Sequence, residues 1–176
     1  FGASALSTFT TSKLLLSVQS CLPHISHIQA RYVHLIDSVQ PLDPVEIDKA
    51  NQLLGYGEPY HPQAAASQSM LLRVVAPRPG TISPWSSKAT DIFHNCGLKN
   101  VNRVERVIQY EINLQAELTD VEVAQLDSLI HDRMTQTVLN SVELANILFH
   151  TAEPKPVLAI PLLEKGRDAL VEANSA

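Results

Sequence analysis

The stretch Ala76–Ile92, APRPGTISPWSSKATDI, holds the densest collection of residues able to do chemistry. Pro77 and Pro79 fix backbone dihedrals and remove two amide donors, and Gly80 permits positive φ, so the preceding apolar run enters a stiff turn. Ser83 then suits a helix N-cap and Pro84 the first helical position. A helix start presents unpaired backbone amides and the positive end of the helix dipole. Around it, Thr81, Ser83, Ser86 and Ser87 add hydroxyls while Arg78 and Lys88 add charge, a set able to hold a phosphate or a carboxylate. Two other readings stand beside that one. In the first, Ser83 only caps, Trp85 anchors the helix in the core, and Arg78 and Lys88 pair with acids such as Asp91. In the second, the turn is a contact surface for another domain. The glycine and lysine spacing of a phosphate-binding P-loop is missing.

Other constellations are thinner. His24 and His27 stand three apart near a proline, with no carboxylate or cysteine at ligand spacing, so they read as surface histidines and no metal site is expected. Cys21 and Cys96 have no C-x-x-C spacing and fall on apolar helix stripes, which makes them buried thiols. His131, Asp132 and Arg133 read as the charged end of a helix, with no serine elbow or acid pair beside them. No catalytic residue is expected in this chain.

The elements that must position these residues alternate along the sequence. Residues 4–9 read as a short strand and Ser12 as the cap of a helix carrying Leu14, Leu15, Val18, Cys21 and Leu22 at helical spacing until Pro23. In IQARYVHLI, residues Ile28, Ala30, Tyr32 and Ile36 share one face of a strand, with His34 between them. Asp43 as N-cap, Pro44 and Glu46 open a helix that Gly55 closes. GYGEPYHPQAAASQS reads as a loop between two halves. After it, MLLRVVA reads as a strand covered on both faces. The helix begun at Ser83 carries Trp85, Ala89, Ile92, Phe93 and Cys96 on one face until Gly97. RVERVIQYEI puts Val104, Ile108, Tyr110 and Ile112 on one side of a strand. Thr119 and Glu122 form a capping box for a helix with the stripe Val123, Leu126, Ile130 and Met134. Each half is therefore strand, helix, strand, capped helix, a duplication of about 70 residues, too short to be more than marginally stable alone. The expected fold is α+β, with pseudo-equivalent halves at about 1–56 and 69–140 whose sheets pack with helices. Residues 141–176 read as the start of a linker region: TAEPKPVLAIP is an extended tether with three prolines, and LLEKGRDALVEA is helical with no terminating signal. The chain reads as a piece of something longer.

Composition sets outer limits. With 176 residues and 45% hydrophobic content the chain suits one globular domain with an appendage. A formal charge of −5 argues against a general nucleic-acid binder. Apolar runs such as LLRVVA fall far short of the roughly 20 residues of a membrane span, and no signal sequence opens the chain, so a cytoplasmic location is expected.

The run RPGTISPWSSKATDIFHNCGL closely resembles a signature near the N-terminus of the large, single-chain phosphoribosylformylglycinamidine synthases. ALSTF, YVHLID, VNRVER, IHDRM and GRDALVEAN fall in the order expected there, so the resemblance covers the whole chain. It implies an N-terminal domain similar to a dimer of the small separate subunit of the short enzyme form, followed by a linker domain. It further implies a ligase that makes formylglycinamidine ribonucleotide from formylglycinamide ribonucleotide, glutamine and ATP, with ATP, Mg2+ and the glutaminase triad held by later parts of the chain. No cofactor and no activity are implied for these residues alone. Their implied partners are the synthetase core and the glutaminase domain, between which they form a docking scaffold. Arg78, Thr81, Ser83, Trp85, Ser86, Ser87, Lys88 and Asp91 are the expected substrate or interdomain contacts. The alternative is a stand-alone module that binds an anion or nucleotide phosphate at the helix start.

Overall fold

The computed structural model describes residues 1–62, 69–150, 157 and 159–175. Its elements, in chain order, are α1 (Thr8–Gln19), β1 (Ile25–Ser38), α2 (Pro44–Leu54), β2 (Ser69–Pro77), α3 (Pro84–Asn95), β3 (Val101–Leu114), α4 (Asp120–Ile130) and β4 (Gln136–Leu139). A 3-10 turn (Glu143–Phe149) follows, then α5 (Leu162–Lys165) and α6 (Arg167–Ser175). The strands form one four-stranded antiparallel sheet in the order β1-β3-β2-β4, so the chain is α+β. The long strand β3 lies inside the sheet between β2 and the equally long edge strand β1, with Tyr32 directly opposite Ile108 and His34 opposite Arg106.

Period-two alternation divides the sheet into two faces. Even-numbered residues of β1 and β3 face the helices. Ile28, Ala30, Tyr110 and Ile112 pack with Val18 and Leu22, near and just past the end of α1, and with Leu126 and Ile130 of α4. Ile36 and Val104 pack with Ala50 of α2 and with Ala89 and Phe93 of α3. On the other face, Val33 and Val107 join Val74 and Ala76 of β2 under Ala145 and Leu148 of the 3-10 turn.

The capping boxes form as expected. Asp43 and Glu46 exchange bonds at the start of α2, Thr119 and Glu122 do so at α4, and Ser83 caps α3 with Pro84 at its first position. Other expectations need correction. The strand at residues 4–9 reduces to a bridge between Ser4 and Arg31, and Phe9 lies inside α1. The cap of α1 is Ser7 instead of Ser12, because the Ser7 hydroxyl reaches the Thr10 amide while the Ser12 hydroxyl turns back to the Thr8 carbonyl. Cys21 and Cys96 are both exposed. Cys21 lies past the end of α1, and Cys96 is the C-cap of α3, so neither stays on the buried stripe. The first half of β2 has an open face at Met70 and Leu72, since the cluster packed under the 3-10 turn takes in Val74 and Ala76 of that face but not these two. Met134 is 79% exposed because α4 ends at Ile130 and the Asp132 carboxylate organises a turn into β4. LLEKGRDALVEA is two helices broken at Gly166. Most of the expected tether, residues 151–156 and 158, and positions 63–68 of the expected loop lie outside the described residues.

Candidate functional site

The turn after β2 is built as its prolines and glycine imply. Gly80 sits at φ 81°, and the space around it is open, so backbone conformation alone calls for glycine there. The Thr81 hydroxyl donates to the Arg78 carbonyl at 2.6 Å, closing the turn. The Arg78 amide donates to the Thr135 carbonyl at 3.1 Å, and its guanidinium to the Met134 carbonyl at 3.4 Å, which ties the turn to the approach of β4.

Beneath the turn lies a buried ion pair. Glu105 of β3 is fully buried and is paired with Arg103, two residues earlier on the same face of the strand. Arg103 also donates to the Thr81 carbonyl at 2.9 Å, the Leu148 carbonyl at 2.8 Å and the Ser86 hydroxyl at 3.3 Å. Glu105 accepts from the Ser83 hydroxyl at 3.1 Å and the Arg106 amide at 3.3 Å. Ser83 meanwhile accepts from the Ser86 amide at 3.0 Å. The hydroxyls of Ser83 and Ser86 are therefore turned inward, and the carboxylate that complements the start of α3 belongs to Glu105.

Trp85, one residue into α3, joins a second cluster. It stacks on His34 with ring centroids 5.6 Å apart. The Arg106 guanidinium lies 4.7 Å from the Trp85 ring and 4.2 Å from that of Tyr32. Arg106 donates to the Tyr56 hydroxyl at 3.1 Å, and that hydroxyl lies 2.8 Å from Nε2 of His34. Burial, reinforced by the Arg106 charge, lowers the His34 pKa to about 4, so the ring is neutral at pH 7. Tyr56 then accepts from Arg106 and donates to Nε2, leaving the ring proton on Nδ1. Gly2 borders this cluster, where a Cβ would lie 2.6 Å from Cε1 of His34.

Arg78, Thr81, Ser87, Lys88 and Asp91 are exposed. Arg78 and Thr81 border a groove of about 490 Å³ together with Ile82 and Met134, and Lys88 lies at a separate groove beside Trp85. The eight expected contact residues thus divide: Ser86 is buried, Ser83 and Trp85 are half-buried, with the Ser83 hydroxyl turned inward, and five face outward. Arg103, Glu105, Arg106, His34 and Tyr56 escaped sequence reasoning, since their role depends on pairing between strands far apart in the chain. The one signal was charge set within the apolar alternation of VNRVERVIQ.

Among the described residues no group of three or more His, Cys, Asp or Glu side chains is placed to hold a metal ion, and no helix is long and apolar enough to cross a membrane. The family model described as formylglycinamide ribonucleotide amidotransferase N-terminal matches residues 31–149. The chain belongs to that family. Its parent enzyme is an amidotransferase of purine biosynthesis. The match takes in the turn, the Arg103–Glu105 pair and the cluster around Arg106, while Gly2 and α1 lie outside it.

Two measurements check this geometry. Removing one member of a buried pair strands its partner, so Glu105→Gln should lower unfolding free energy by about 3 kcal/mol in urea titration, and the double change Arg103→Met with Glu105→Leu should recover much of that loss. A Glu105→Gln midpoint no lower than that of the exposed change Glu117→Gln would contradict the pair's role. His34 is protonated more readily in the unfolded chain, near 6.5, than in the folded one, near 4. Stability is therefore fully present above pH 6.5 and declines as pH falls toward 4. The His34 ring resonances should titrate near 4 by NMR, and a midpoint near 6.5 would show a solvated ring.

Proposed function

We propose that this chain is a docking scaffold that sets the synthetase core of the amidotransferase against its glutaminase domain, bordering the substrate or ammonia path. The complete enzyme would convert formylglycinamide ribonucleotide, glutamine and ATP to formylglycinamidine ribonucleotide in the cytoplasm. ATP, magnesium and the glutaminase nucleophile would be held outside these 176 residues. The observation that carries this reading is the inward use of Ser83, Ser86 and Glu105, which leaves a rigid turn presenting Arg78, Thr81, Ser87, Lys88 and Asp91 to a partner. An anion at the helix start, the alternative reading, would meet the carboxylate of Glu105 already seated there.

Two pseudo-equivalent halves form part of the proposal. Adding 76 to both ends of α1, β1 and α2 gives the ends of α3, β3 and α4: Thr8–Gln19 to Pro84–Asn95, Ile25–Ser38 to Val101–Leu114, Pro44–Leu54 to Asp120–Ile130. The caps obey the same offset, Ser7 to Ser83 and Asp43 to Thr119. Tyr32 and Ile108, also separated by that offset, face one another across the two long strands β1 and β3, where a pseudo-twofold axis would pass. Residues after about 140 would lead into the linker, beginning with the 3-10 turn that still packs on the sheet.

In the complete amidotransferase, Arg78→Ala should lower the glutamine-dependent rate about tenfold by misplacing domains, with the rate on free ammonia retained. An unchanged glutamine-dependent rate and KM would remove the turn from the interface. Calorimetric heat between the isolated chain and formylglycinamide ribonucleotide would favour the anion-binding alternative.

A further inference from the structure

A second groove, of about 330 Å³, opens between α2 and α3, lined chiefly by Leu53, Leu54, Tyr56, Trp85, Ile92 and Phe93. Its walls are apolar, and Ile92, whose spacing in the sequence assigned it to the apolar stripe of α3, is 51% exposed there. Two cations flank it. Lys88 stands on the rim, and Arg106 is held behind Trp85 and Tyr56 by ring contacts and one hydrogen bond. Among the described residues no carboxylate pairs with either, although Asp91 is only three residues from Lys88 on α3. His34 is neutral and adds no charge. In a chain of formal charge −5, two unopposed cations beside an apolar cleft make a local positive field that an acidic group would complement. Tryptophan, tyrosine and arginine around such a cleft are the side chains that carry most of the energy in protein interfaces.

We propose that this groove docks a protein segment from another domain of the same amidotransferase, one apolar side chain entering between Tyr56 and Trp85 and a neighbouring carboxylate facing Lys88 at the rim, within the field of Arg106 behind the rings. This deepens the docking reading, on which it rests, and assigns a contact surface beyond the turn itself. The cage of Tyr32, Tyr56 and Trp85 fixes Arg106 before the partner arrives, which reduces the ordering cost of binding.

The test uses the complete amidotransferase carrying a photo-crosslinking benzoylphenylalanine in place of Ile92 or, in a second protein, of Arg78. Irradiation at position 92 should join the groove to a residue outside 1–176 that has an Asp or Glu close beside it in sequence. Lys88→Glu should reduce that crosslink about tenfold, whereas Lys99→Glu, also on the surface, should leave it intact. Crosslinks from position 78 but none from position 92 would overturn the groove while leaving the docking reading in place. Failure at both positions would overturn both. A crosslink from 92 that is indifferent to Lys88→Glu would remove the acidic partner and with it the proposal.

Discussion

The Glu105 carboxylate is sealed from water inside a sheet, and the position of the turn follows from that burial. A charge in such a place persists only when paired and hydrogen-bonded, and Arg103 supplies the pairing from the same strand. Arg103 then needs acceptors of its own. It finds them in the Thr81 carbonyl, the Ser86 hydroxyl and the Leu148 carbonyl, so one guanidinium joins the turn, the start of α3 and the 3-10 turn near the end of the described sheet packing. The pair adds little net stability over an apolar core. Its contribution is geometric, because displacing any of these segments would separate a donor from its acceptor around the pair.

Trp85 transmits that placement. It follows Ser83 and Pro84 directly, so the cap that fixes Ser83 over Glu105 also fixes where the indole ring meets His34 and Arg106. The two clusters therefore act as one unit, with an inward carboxylate at one end and an outward aromatic groove at the other. The proposed role as an interface agrees with this division. The hydroxyls that looked available for a ligand are consumed by the protein, and what remains outside is charge and exposed apolar surface.

Much of this fold was legible in the sequence. Capping boxes at Asp43 and Thr119 and the Ser83–Pro84 start announce themselves within four residues, and the two long strands show alternation. Errors arose where local signals compete. Ser7 and Ser12 both offer a hydroxyl near the start of α1, and the folded chain uses Ser7, which accepts from the Thr10 amide. The cysteines were misplaced because helical periodicity continues on paper past the point where each helix stops. At the site, the turn was readable from Pro77, Pro79 and Gly80, whereas the inward direction of Ser83 and Ser86 was not. That direction depends on Arg103 and Glu105, which reach the turn through the pairing of β3 with β2, a contact that no local pattern encodes.

The claim that the turn is held in place before any partner binds is most directly tested by amide hydrogen exchange on the 176-residue chain alone. The Ser86 amide, donating to Ser83, should exchange slowly in the original protein and become much faster when Arg103→Lys removes the planar fork of donors, while the amides of α4 stay unchanged. Exchange at Ser86 as fast as in an unstructured peptide, in the original protein, would contradict a preformed turn.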